Sequence, residues 1–93
     1  MKILILGDMG NKKTFKKAEK AISEMGDIPI NPIRVMYALP VGINISEFAV
    51  VVIELVRISD AILLLDGWRK DIVSTIAKTN AERSEKEVLT WTD

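Results

Sequence analysis

The run Asp60-Ala61-Ile62-Leu63-Leu64-Leu65-Asp66-Gly67-Trp68 constrains the fold more than any other part of the chain. Its unbroken apolar centre fits a strand buried on both faces, which is the habit of parallel sheets. The strand runs into a carboxylate and a glycine, and a second carboxylate, Asp71, stands where the next helix begins. Open α/β sheets gather ligand-binding groups at this kind of place, where strands end and helices start.

The rest of the chain repeats that grammar. Ile3 to Leu6 is a short apolar strand, followed by the turn Gly7-Asp8-Met9-Gly10-Asn11. Phe15, Ala18, Ile22 and Met25 then recur at helical spacing, with Asn11 as the N-cap and Gly26 as the stop. Lys12, Lys13, Lys16, Lys17 and Lys20 line the other side of this helix; they read as a solvated face, with an anion-attracting surface as the alternative. Ile28 to Ile30 gives a second strand that ends at Asn31-Pro32. A loop of about a dozen residues, punctuated by Pro40 and Gly42, follows. Ala61 to Leu65 is the third strand, Ile72 to Arg83 a helix and Val88 to Trp91 a closing strand. The pattern βαβαβαβ predicts a parallel sheet in the order 2-1-3-4 with helices on both faces, in the flavodoxin or Rossmann manner. The switch point then falls between the first and third strands, so that Gly7-Asp8-Met9-Gly10 and Asp66-Gly67-Trp68 meet at one crevice.

The helix expected over Ile43 to Ile58 is unusual. Ile45, Phe48, Ala49, Val50, Val51, Val52, Ile53, Leu55 and Val56 cover most of its circumference, and from Ile45 on only Ser46, Glu47, Glu54 and Arg57 are polar. Covering a sheet needs a narrower stripe. The surplus predicts self-association through helix 43–58. The alternative is that its β-branched residues make part of it a strand.

Composition narrows the chemistry. With 93 residues the chain is read as one domain, 1–93, which buries roughly 65% of its unfolded surface. It has no cysteine and no histidine, so disulfides, thiolate nucleophiles, imidazole catalysis and Cys/His zinc sites are excluded. Lysine plus arginine balances aspartate plus glutamate at 13 each, which argues against a nucleic-acid partner. No apolar run approaches the length of a membrane span, and Ile3 to Leu6 is too short for a signal-peptide core. The expectation is a soluble cytoplasmic protein, with no metal and no cofactor.

In Gly7-Asp8-Met9-Gly10, Asn11 and Phe15, Asn31-Pro32, Asp60-Ala61-Ile62 and Gly67-Trp68, the chain resembles the nucleoside 2-deoxyribosyltransferase-like superfamily. It is most similar to a small phage and bacterial branch, a domain of unknown function whose first strand ends in Gly-Pro-Met-Thr-Gly. Here that turn is shortened and lacks the proline. The resemblance implies a single domain that handles a nucleoside, a nucleotide or another ribose-containing ligand. The superfamily's enzymes carry Asp-Gly, then Asp-x-Gly-Thr, then a glutamate three residues on. Asp66-Gly67 and Asp71 match the acidic part, while Val73 and Ser74 stand for the glycine and threonine. Ala77 stands where the resemblance puts the glutamate that attacks the anomeric carbon. The small relatives also tend to carry an aspartate in the helix before the third strand. Val52 falls near there, with Glu54 two residues on. A methyl group cannot form a glycosyl–enzyme bond, so the chain is expected to bind without turnover. The alternatives are weak N-glycosidase or deoxyribosyltransferase activity from Asp66 or Asp71, and a structural oligomer that has lost the site.

The ligand-binding set expected on these grounds is Gly7, Asp8, Met9, Asn11, Asp66, Gly67, Trp68, Asp71 and Ser74. Each residue also has a plainer role open to it. Asp71 holds a ribose diol or N-caps the third helix. Trp68 stacks on a base or closes the edge of the core. Ser74 and Thr75 meet a phosphate in a helix's first turn or simply cap it. Ala77, in line with Val73 and Ile76, is explained by packing. Met36 and Tyr37 fall in the long loop, where nothing favours a pocket over the surface.

Overall fold

The computed structural model describes residues 1–91. The elements run β1 (Lys2–Leu6), α1 (Lys12–Glu24), β2 (Ile28–Ile30), α2 (Pro32–Ala38), α3 (Ile45–Ile58), β3 (Ala61–Leu64), a 3₁₀ turn (Trp68–Lys70), α4 (Ile72–Arg83) and β4 (Glu87–Thr90). The four strands are all parallel in the order β2-β1-β3-β4. The expected fold class and strand order are therefore those observed.

Period-2 alternation divides the two central strands between two cores. Leu4, Leu6, Ile62 and Leu64 face α3 and α4, meeting Phe48, Ala49, Val52, Val56, Val73, Ala77 and Ala81. Ile3, Ile5, Ala61, Leu63 and Leu65 face the other way, where α1 brings Phe15, Ala18 and Ile22. Both strands are buried on both faces, as their continuous apolar runs require.

The segment read as a loop contains a helix. Asn31 accepts a hydrogen bond from Ile33 N at 3.0 Å, and Pro32 takes the first helical position, where its missing N–H costs nothing. Only Leu39 to Asn44 remains irregular before α3. That helix starts two residues later than the apolar pattern implied, because Asn44 and Glu47 form a reciprocal capping box at 2.8 and 3.1 Å. Residues 45–58 are helical throughout, so no part of the β-branched run is a strand. Phe48, Ala49, Val52 and Val56 are buried against the sheet, whereas Ile45, Val50 and Ile58 stay exposed. Among the described residues, no helix is long and apolar enough to cross a membrane.

Candidate functional site

The register that aligns Leu6 with Leu64 brings the exits of β1 and β3 side by side. Leu65 N extends the ladder with a 2.8 Å bond to Leu6 O, and both chains then turn away at the carboxyl edge of the sheet. Gly7 is required there: a Cβ on it would lie 2.9 Å from Leu65 Cβ, closer than two such carbons can approach. Gly67 has φ +85°, a left-handed conformation that costs an L side chain about 1–2 kcal/mol. A Cβ on Gly67 would stand 3.2 Å from Asp8 Cβ, so the two turns touch here.

The N-cap of α4, Asp71, and Ser74 in its first turn tie the turns together. Asp71 Oδ1 accepts from Ser74 N at 2.9 Å and so caps α4, while its Oδ2 accepts from Met9 N at 3.1 Å in the β1 turn. Ser74 is fully buried. Its Oγ donates to Gly7 O at 2.7 Å and accepts from Gly7 N at 3.0 Å. Sequence reasoning left Asp71 between sugar contact and cap, and Ser74 between phosphate contact and cap. In the structure Asp71 is a cap that also reaches across to the other turn, and Ser74's polar groups are spent inside the fold.

The other expected residues are placed as follows. Asp8 is exposed; its Oδ1 accepts from Gly10 N at 2.9 Å, and its carbonyl accepts from Asn11 N at 2.9 Å, closing the turn. Asn11 caps α1 through a longer bond of 3.4 Å from Thr14 N. Met9 is half-buried and packs with Met36 against both cores. Trp68 is half-buried against the α3–α4 core. Its ring carries Arg69 at 4.9 Å and Lys78 at 5.1 Å from its centroid. Asp66 is the exception: it is exposed, and among the described residues its carboxylate has no hydrogen-bond or ion-pair partner. Ala77 is completely buried, on the side of α4 that joins the core cluster of Leu4, Leu6, Ile62 and Leu64.

Two cavities flank this edge. One of about 340 Å³ lies at the start of α3, lined by Met36, Tyr37, Ile43, Ile45 and Phe48 among others. Another, of about 320 Å³, lies between α1 and α2 and is lined by Lys12, Lys16, Asn31, Ile33, Arg34 and Tyr37. Asp8, Asp66 and Asp71 line neither. Sequence reasoning missed the second cavity because α2 was not foreseen; the Asn31-Pro32 pair was the available signal.

Among these groups the clearest charge effect is at Glu19. The Arg34 guanidinium holds it through bonds of 2.6 and 2.7 Å and lowers its carboxyl pKa, while Arg34 itself is raised. Among the described residues no group of three or more acidic, histidine or cysteine side chains is arranged to hold a metal ion.

Compared with known proteins, residues 3–90 match the family described as "Domain of unknown function (DUF4406)". Neither the curated proteins nor the solved structures yielded a match.

Proposed function

We propose that this chain, which belongs to the DUF4406 family, binds a nucleoside, a nucleotide or another ribose-containing molecule at the β1–β3 crevice without turning it over. One observation carries the proposal. At the topological switch point, where open α/β sheets take their ligands, the fold leaves the Asp66 carboxylate exposed and unengaged among the described residues. An ionised carboxylate offers two acceptor oxygens, which suits a pair of sugar hydroxyls. The likeness of Asp66-Gly67 and Asp71 to the deoxyribosyltransferase pattern supports the sugar, and Ala77 supports the lack of turnover.

Titration calorimetry against deoxynucleosides, nucleotides and ADP-ribose tests this reading. Binding is expected, weakened by Asp66→Asn, with folding stability unchanged within about 0.5 kcal/mol because the side chain is exposed. If no compound in that panel binds, the reading is wrong. Chromatography for released base separates binding from hydrolysis; release that disappears in Asp66→Asn would make the protein a glycosidase instead.

A second reading concerns self-association through α3, supported by its outward apolar residues. Ile45 is 65% and Val50 62% exposed, and on neighbouring α4 Ile72 is 62% and Ile76 40% exposed. A second copy laid on this face would bury them. Light scattering is expected to give an oligomer, and a monomer at micromolar concentration would dismiss it.

A further inference from the structure

We propose that the cleft between α1 and α2 is an anion subsite. It takes the phosphate of a phosphorylated ligand whose sugar lies at the β1–β3 crevice, and in that respect it rests on the function proposed above. The cleft has a buried floor, Asn31 and Ile33, and exposed walls, Lys12, Lys16, Arg34 and Tyr37. Arg34 is neutralised by its paired bonds to Glu19. Lys12 and Lys16 make no close ion pair among the described residues, and Glu19, which Lys16 also attracts, is a single anion against three cations, so the cleft carries two positive charges in excess.

Helix α1 is built in a way that an anion would reconcile. Its first turn holds no acidic residue and begins with Lys12 and Lys13. Cations at a helix N-terminus oppose the backbone dipole, which favours negative charge there. A phosphate lying beside Lys12 and Lys16 would reverse that conflict and add charge-assisted hydrogen bonds.

The aromatic ring in the cleft argues for the charged end of a ligand and against its base. Lys12 Nζ already stands 4.6 Å from the Tyr37 ring centroid, which fixes the ammonium at the wall and occupies that ring face. The cavity's volume, about 320 Å³, is at the small end for ligand sites and suits part of a nucleotide. Reach is no obstacle. Asp8 and Lys12 are four residues apart, at most about 14 Å of extended chain, and the Asn11 N to Asp8 O bond closes the turn between them.

Calorimetry with a deoxynucleoside, its 5′-monophosphate and inorganic pyrophosphate tests the subsite, using Lys12→Met, Lys16→Met and, as a control on the same helix outside the cleft, Lys13→Met. The monophosphate should bind more tightly than the nucleoside. Either cleft substitution should weaken the monophosphate about tenfold or more and leave the nucleoside unchanged. Lys13→Met should shift the monophosphate by no more than about twofold in physiological salt. Equal affinity for nucleoside and monophosphate, or equal losses in the control, would overturn the subsite and leave the crevice reading standing. Pyrophosphate binding that depends on Lys12 and Lys16, with no nucleoside or monophosphate binding, would keep the anion site and remove the crevice reading. No binding of any of the three would remove both.

Discussion

The β1–β3 tips and the α1–α2 cleft lie along the same edge of one sheet, yet they spend their polar groups in opposite ways. At the tips, Asp71, Ser74 and the backbone of Gly7 and Met9 bond to one another, and two glycines let the turns touch. In the cleft, two exposed lysines and Arg34 share one carboxylate, Glu19, so positive charge is left over. Most of the sequence motif that draws attention therefore holds the fold together, while free charge sits next door and at Asp66. A motif at a strand end is not automatically chemistry. Whether its atoms already have partners decides that.

The largest way to break this contrast is Ala77→Glu, which restores the residue type that the resemblance places there. Its Cβ lies in the α4 core, so a carboxylate would be buried without a partner, and about 3–5 kcal/mol of stability should be lost. Urea unfolding measures it; a stable variant that gains glycosidase activity would show that this position reaches the crevice after all. Asp71→Ala comes next. It removes the α4 cap and strands Met9 N, for an expected loss of about 2–4 kcal/mol. A loss no larger than that of Asp66→Asn would erase the distinction between the two carboxylates.

Gly7→Ala should cost about 1–3 kcal/mol, since Leu65 Cβ must give way for the new methyl group. Thermal melts check it. The smallest effect belongs to the cleft wall. Because Arg34 lowers the Glu19 pKa from its ordinary 4.5, the pair's contribution is fully present above that pH and is lost as pH falls through the lowered value. The stability gap between the natural chain and Glu19→Gln should thus be constant near neutrality, no more than about 1 kcal/mol, and close in acid. A gap that widens below pH 4.5 would mean that the pair is not what holds Glu19.

Much of this edge was legible from the residues alone. The runs Ile3–Leu6 and Ala61–Leu65 mark buried parallel strands, and helices on both faces make 2-1-3-4 the simplest order, which is the one observed. Asn11 caps the helix it was expected to cap, and Asp71 takes the cap that was one of its two readings. Helix α2 escaped because its seven residues are too few to display a period, and Asn31-Pro32 reads equally as a turn. The partners of Asp71 and Ser74 escaped for a different reason. Periodicity says which face a residue occupies, but not which backbone N–H from another strand will reach it. Without α2 there was no second wall, so the lysine row had no cleft to belong to.

The Ser74–Gly7 bonds join residues 67 positions apart in the sequence, and the Asp71–Met9 bond spans 62. During synthesis, the first turn therefore emerges from the ribosome long before the groups that shape it. A nascent chain halted before Asp66 would carry every lysine of α1 and yet no assembled crevice. Contacts of such long range are slow to form, so ligand recognition at the crevice should switch on only after Ser74 has emerged.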